Sequence, residues 1–206
     1  MNRKYLPVTF AASAALAAAL LLSGCSSSGS MDSTDSNSTT PAPSSAASQG
    51  EFNDADVAFA SGMVMHHQQA IEMVDMFLEK EGVDEQVADL AERIKAAQQP
   101  EIDTMNQWLT AWAQPTDSMG DHNMDDMGDM DGMMSGEDMM ALENATAEEA
   151  NTLFLEQMVT HHLGAIDMAT EELDSGQNAE ALGLATKIIT DQRAEIDEMS
   201  DLLAAL

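Results

Sequence analysis

The chain has 206 residues, with 37 Asp and Glu against 7 Lys and Arg, and it carries 18 Met and 1 Cys. A formal charge of −30 excludes nucleic acid as a partner, because phosphate backbones are bound through Lys and Arg. A single Cys excludes an internal disulfide and any zinc site built on several cysteines.

The length suits one domain with a substantial core. The methionine content is the anomaly, since methionine is normally a minor gap-filling residue.

At the N-terminus, Arg3 and Lys4 precede an apolar stretch from Leu6 to Leu22 that ends in Leu22-Ser23-Gly24-Cys25. A basic start, an apolar middle and small residues before a cleavage point read as a secretory leader, not a membrane span. The closing tetrapeptide resembles the lipobox of bacterial lipoproteins. That resemblance implies removal of residues 1–24, lipid on Cys25, and a protein anchored to the cell membrane on its extracytoplasmic side. Residues 25–50 are rich in Ser, Thr, Pro and Ala. Such a segment cannot bury enough apolar surface to fold, so it reads as a tether with a reach of roughly 25–30 Å.

Residues 51–206 form the predicted domain, and they contain an internal repeat. Phe59-Ala-Ser-Gly-Met63-Val-Met-His66-His67-Gln-Gln-Ala70-Ile71-Glu-Met73 aligns with Phe154-Leu-Glu-Gln-Met158-Val-Thr-His161-His162-Leu-Gly-Ala165-Ile166-Asp-Met168. A second match follows each: Ile94 to Leu109 aligns with Ile188 to Leu203. Phe59, Met63, His66, His67, Ala70, Ile71 and Val74 recur at helical spacing, as do Ile94, Gln98, Glu101, Ile102, Met105 and Leu109. Helices are predicted near 53–80, 84–113, 146–174 and 178–204. Thr146-Ala-Glu-Glu149 is a capping box that starts the third. Gly82 and Ser175-Gly176 break the chain inside each repeat. Pro100 lacks a backbone donor and predicts a kink near Ala96 to Gln99. The expected fold is all-α, a four-helix bundle of two repeated αα-hairpins with a core of Leu, Ile, Val, Ala and Met.

Two constellations point to chemistry. The first is the paired histidines. His66 and His67 straddle the apolar stripe of the first helix, with Met63 and Met73 on the same face. Gln98, Glu101 and Met105 share the buried face of its partner helix. The second repeat offers Met158, His161, His162, Met168, Gln192, Glu195 and Met199. Imidazoles in this position are either core residues with satisfied hydrogen bonds or metal ligands, and neighbouring thioethers favour soft ions.

The second constellation is an insertion between the repeats, residues 117–140, in which Met and acidic residues alternate. Met119, His122, Met124, Met127, Met130, Met133 and Met134 are its candidate ligands. Its Gly and Asp content argues against a helix. Thioether sulfur selects Cu(I), with Ag(I) as its mimic, over zinc, magnesium or calcium. The carboxylates concentrate cations without choosing among them.

At these residues the chain resembles the bacterial DUF305 family. The pattern Phe-x3-Met-x2-His-His-x2-Ala-Ile-x-Met, then Gln-x2-Glu-Ile-x2-Met, occurs at 59–73 with 98–105 and again at 154–168 with 192–199. The resemblance implies a ferritin-like four-helix fold, an extracytoplasmic location and, for members with an assigned role, copper binding and copper tolerance. It carries ligand candidacy to Met63, His66, His67, Met73 and Met105, and to Met158, His161, His162, Met168 and Met199. The insertion lies outside the pattern.

The leading expectation is a membrane-tethered, extracytoplasmic copper-binding protein that sequesters or hands on Cu(I) and has no catalytic residue. One alternative is a metal-free acidic lipoprotein serving as an interaction module, with no protein partner that the sequence names. Another is a ferritin-like metal oxidase. That chemistry needs Glu-x-x-His on two helices, and the sequence contains none.

Overall fold

The computed structural model describes residues 50–114 and 132–206. Cys25 with the leader and tether, and residues 115–131 of the insertion, lie outside the described residues. Among the described residues there are five helices: α1 Asp54–Leu78, α2 Glu85–Ala111, α3 Gly136–Asn144, α4 Ala147–Ser175 and α5 Ala179–Ala205. No helix among the described residues is long and apolar enough to cross a membrane.

The helix starts follow local chemistry. The Thr146–Glu149 capping box is formed, and Asn53–Asp56 makes a second. Asp84 and Asn178 accept backbone N–H groups in the first turns of α2 and α5. α2 runs through Pro100 without interruption. Helix α3 corrects the expectation of a non-helical insertion. Ser135 and Asp138 form a capping box, and Met139 and Leu142 are buried, so five residues of the 117–140 stretch are helical. Nine residues make a marginal helix alone, and burial against the bundle sustains this one.

α1 packs on α2, and α4 packs on α5. The two hairpins join along α1 and α4. Contacts Phe77–Phe154, His66–His161 and Asn53–Ser175 descend along α4 as they ascend α1, so these two helices run antiparallel. α2 and α5 meet mainly through charge: Lys187 bonds Glu101, and Arg93 bonds Glu198.

Reciprocal braces hold the repeats together. Asp56 in α1 accepts the N–H groups of Gln177 and Asn178 at the start of α5 (3.0 and 2.8 Å). Asn151, its equivalent in α4, accepts the N–H of Asp84 at the start of α2 (3.0 Å). Each repeat therefore fixes the turn of the other.

The end of the insertion docks across the α1–α4 seam. Gln69 clamps Met134, donating to its carbonyl (2.9 Å) and accepting from its N–H (2.7 Å). Gln157 donates to the Asp138 carbonyl. Gly132 has φ +79°, and a Cβ there would meet the Gly164 backbone at 2.7 Å. Only glycine at position 132 allows this approach.

The two ends of the seam differ. At one end Phe77 stacks on Phe154, with centroids 4.5 Å apart. At the other, the equivalent positions are Glu172 and Phe59. There a cavity of about 130 Å³ is lined by residues that include Ala55, Phe59, Met168 and Glu172.

Glu172 is 1% exposed and faces the fully buried Asp56. Burial acts to raise Asp56, but the N–H groups of Asn178, Asn53 and Gln177, with Glu172 as a further donor, hold it below the usual carboxylate value. Burial, with Asp56 beside it, pushes Glu172 up to about 8. Glu172 thus keeps a proton in the folded state that the unfolded chain releases. This stabilisation is complete below the unfolded value and is lost as pH rises through about 8. Glu172→Gln, which keeps the shape and a donor, is expected to remove that loss. In thermal melts from about pH 5 to about pH 9, the variant should gain on wild type as pH rises. Parallel curves for the two proteins would contradict the shared proton.

Candidate metal centre

The α1–α4 seam carries four histidines at its middle, all fully buried. The His66 and His161 rings lie across the seam with centroids 3.8 Å apart and planes inclined at 43°. Their neighbours His67 and His162 turn outward within the bundle, toward the flanking helices. His67 Nε2 is 2.8 Å from Glu101 Oε2 in α2, and His162 Nε2 is 2.7 Å from Glu195 Oε2 in α5. A carboxylate accepts, so each ring donates through Nε2, and Nδ1 of both rings is left without a partner among the described residues. The sequence pattern placed these glutamates on the buried face, and they are the histidines' partners.

The two His–Glu pairs are not equivalent. Glu101 has a second partner, Lys187 from α5, which donates to Oε1 (2.8 Å) and also holds Asp191 (2.7 Å). In the first repeat the position of Lys187 is taken by Arg93, which bonds Glu198 and leaves Glu195 to His162. Burial acts to raise Glu101, but the bonds from His67 and Lys187 outweigh it and hold the carboxyl below its ordinary value.

Several buried polar atoms of this layer have no hydrogen-bond partner among the described residues. They are Nδ1 of His67 and of His162, both amide atoms of Gln98, and Oε1 of Gln192. Burial pushes His161 well below its usual value, helped by the neighbouring His66, His162 and His67, while the His66 backbone works the other way. This ring is therefore a neutral imidazole, the form that offers a lone pair to a metal. Buried unsatisfied polar atoms normally cost about 1–3 kcal/mol each. A layer that holds this many is poorly explained as core packing.

Thioethers flank the layer on both sides. Met63 precedes His67 by one turn, and Met105 follows Glu101 by one turn. Because α1 and α2 run antiparallel, both lie on the same side of the His67–Glu101 contact. Met158 and Met199 stand in the same relation to His162 and Glu195. Met63 and Met105 belong to one buried cluster with Phe59 and Ala165, and Met168 packs against it. Met158 and Met199 belong to another, with Met73, Met134 and Met139. Among the described residues no three His, Cys, Asp or Glu groups converge as a ligand set. A site here has to draw on sulfur as well as nitrogen.

Met133 and Met134 of the insertion are buried, while Met119, His122, Met124, Met127 and Met130 lie outside the described residues. Sequence reasoning missed Met139 and Lys187. The Ser135–Asp138 capping box signals the helix that carries Met139. Nothing in the sequence ties Lys187 to Glu101.

The model of the family described as a domain of unknown function, DUF305, matches residues 56–203. Among solved structures, the chain is similar to a DUF305 fragment from Deinococcus radiodurans at 31% identity and a TM-score of 0.67, covering 75% of this chain and 98% of that one. It is similar to a DUF305 protein from Streptomyces coelicolor at 35% identity and a TM-score of 0.65, covering 73% and 93%. It is also similar to CopM in its Cu(I)-bound form, at 28% identity and a TM-score of 0.58, covering 71% and 93%. CopM has further been solved with Cu(II) and with Ag. No curated protein matches the chain.

If the imidazole layer is kept for ligand binding, removing one buried ring should not harm the metal-free fold. His161→Leu is expected to leave the melting temperature of metal-free protein unchanged or raised. A loss of more than about 2 kcal/mol would make the ring a structural residue.

Proposed function

The chain belongs to the DUF305 family, and we propose that it is a copper-binding member that works outside the cytoplasm with Cu(I) as its cargo. The observation that carries this reading is the buried imidazole layer, with bare nitrogens, set between thioether clusters. Neutral imidazole and thioether together favour a soft monovalent ion, and neither requires it to bring a counter-charge inside. The copper-bound forms of CopM, a relative at 28–30% identity, support the choice of metal.

The leader ending in Leu22-Ser23-Gly24-Cys25 supports secretion and lipid attachment at Cys25. The tether would then hold the bundle near the membrane, where copper is met on its way into the cell. The acidic surface gathers cations, and the soft donors select among them. The insertion, with Met119, His122, Met124, Met127 and Met130, would add weaker, outer sites. The role is sequestration or transfer, contributing to copper tolerance, and it uses no catalytic residue.

Anaerobic titration of Cu(I) against a competing chelator tests the reading. Wild type should hold several ions. A variant with His66, His67, His161 and His162 all changed to Leu, and a 117–131 deletion, should each lose a distinct share. Binding by wild type no tighter than that of an acidic control protein would sink the proposal. Acid adds a second check, because imidazole gives up metal on protonation and thioether does not titrate. On acidification the deletion variant should lose a larger fraction of its copper than wild type. Equal fractional loss would count against two classes of site.

A further inference from the structure

We infer that residues 132–144 are a strap that gates the imidazole layer. Docked, the strap closes the outer side of the α1–α4 seam, and its local release sets how fast an ion enters and leaves. This rests on the copper-binding reading above and adds to it a control of exchange rate by residues outside the candidate ligand set, Gln69 and Gly132.

The strap crosses the seam at the level of the histidines. Gln69 lies one turn beyond His66 on α1, and Gly164 lies one turn beyond His161 on α4. The His66 and His161 rings meet between two antiparallel helices, so Gln69 and Gly164 flank the ring pair diagonally. Gly132 rests on α4, where an added Cβ would lie 2.7 Å from the Gly164 Cα and 2.9 Å from the Thr160 carbonyl oxygen. Two residues later, Gln69 of α1 holds Met134 through both of its backbone groups (2.7 and 2.9 Å). The stretch 132–134 therefore passes from one helix to the other beside His66 and His161. From there α3 continues along α1 and α4. The opposite side of the layer belongs to α2 and α5. Their Glu101 and Glu195 hold His67 and His162, and the pairs Lys187–Glu101 and Arg93–Glu198 bridge the two helices.

All four histidines are fully buried, so an ion reaches them only when part of the structure moves. The strap can move without the bundle coming apart. Its leading end is held by the two Gln69 bonds, the Gln157 bond to the Asp138 carbonyl (2.9 Å), and burial of Met133, Met134 and Met139. A nine-residue helix such as α3 is marginal alone, whereas the four long helices keep their own packing when it leaves. Segments with few attachments open locally at a fraction of the cost of global unfolding. Lys80 holds the far end of α3 by the carbonyls of Glu143 and Ala145 (2.8 and 2.9 Å). The strap is thus hinged at that end, and residues 132–135 are the part that lifts.

Labelling of metal-free protein with diethyl pyrocarbonate reads access to the rings without copper, and tandem mass spectrometry assigns the modified ring. Wild type should label His66 and His161 slowly. Gln69→Leu keeps the bulk and leaves the Met134 N–H and carbonyl unpaired. Gly132→Ala puts a methyl against Gly164 at a φ of +79°. Each should speed labelling of His66 and His161 at least about tenfold, and in hydrogen exchange each should expose the Met134 N–H. Two further variants supply the contrast. Leu109→Ala lowers global stability from a core position outside the strap and should leave the labelling rate unchanged. Arg93→Gln removes a bridge between α2 and α5 and should leave it unchanged too. Stopped-flow exchange of Ag(I), a redox-inert probe, with a chelator then reads the cargo. Gln69→Leu should speed capture and release alike, at least about tenfold, and keep the affinity within about threefold of wild type.

Unchanged labelling in both strap variants, or equal acceleration in Leu109→Ala or Arg93→Gln, overturns the gate and leaves the copper reading standing. Faster release with unchanged capture, and affinity falling in step, makes the strap a ligand donor and also overturns the gate. Faster labelling in a protein that holds no more Ag(I) than an acidic control overturns the copper reading, while the strap's control of access to the rings stands. Melting curves establish that each variant folds. Gln69→Glu, which loses the donor and keeps an acceptor, replaces a strap variant that does not, with the same direction expected.

Discussion

Four imidazoles buried in an apolar seam set the terms for the rest of this protein. An imidazole carries two nitrogens that water would otherwise satisfy, and a bundle core offers few replacements. The fold answers by bringing a carboxylate from each outer helix, Glu101 from α2 and Glu195 from α5, to the inner pair facing outward, His67 and His162. This fixes which faces of α2 and α5 turn inward and sets their register against α1 and α4. Lys187 then closes the gap between α2 and α5 by reaching the same Glu101. The His161 ring, which the carboxylates do not reach, stays neutral. A polar layer of this kind, left without a ligand, costs stability compared with a leucine core.

The duplication shapes the site and is then broken at a few positions. Asp56 and Asn151 brace opposite turns in the same way. Gln69 and Gly164, by contrast, occupy equivalent positions and do different things. The glutamine grips the backbone of residue 134, and the glycine lets Gly132 pass. A glycine inside a helix is unfavourable by about 1 kcal/mol against alanine, and this one lies where the docked segment passes. Phe77 and Glu172 are another divergent pair, with an aromatic stack at one end of the seam and a protonated acid beside a cavity at the other. Divergence at these positions turns a symmetric scaffold into one with two distinguishable ends.

Much of this was legible in the amino-acid sequence. The repeat offset, the stripe of Phe59, Met63, His66, His67 and Ala70, and the capping box at Thr146 predict four helices within a residue or two of their observed bounds. They also turn the histidines and Glu101 inward, because helical spacing is a local property. Helix α3 was missed, since the Gly and Asp around it speak against helix, and what supports it is the Ser135–Asp138 capping box with burial of Met139 and Leu142. The regrouping of Met73 and Met168 was hidden for a different reason. It depends on the direction in which α1 meets α4, and no local spacing records that.

The near-twofold relation of the hairpins carries an evolutionary consequence. One hairpin paired with a copy of itself would rebuild the whole imidazole layer, with His66 stacked on its own counterpart. A symmetric dimer of that kind exists only above its dissociation concentration and must keep both halves identical. Fusing two copies in one chain removes the dilution limit. It also frees each half to mutate alone, as Gln69 opposite Gly164 records.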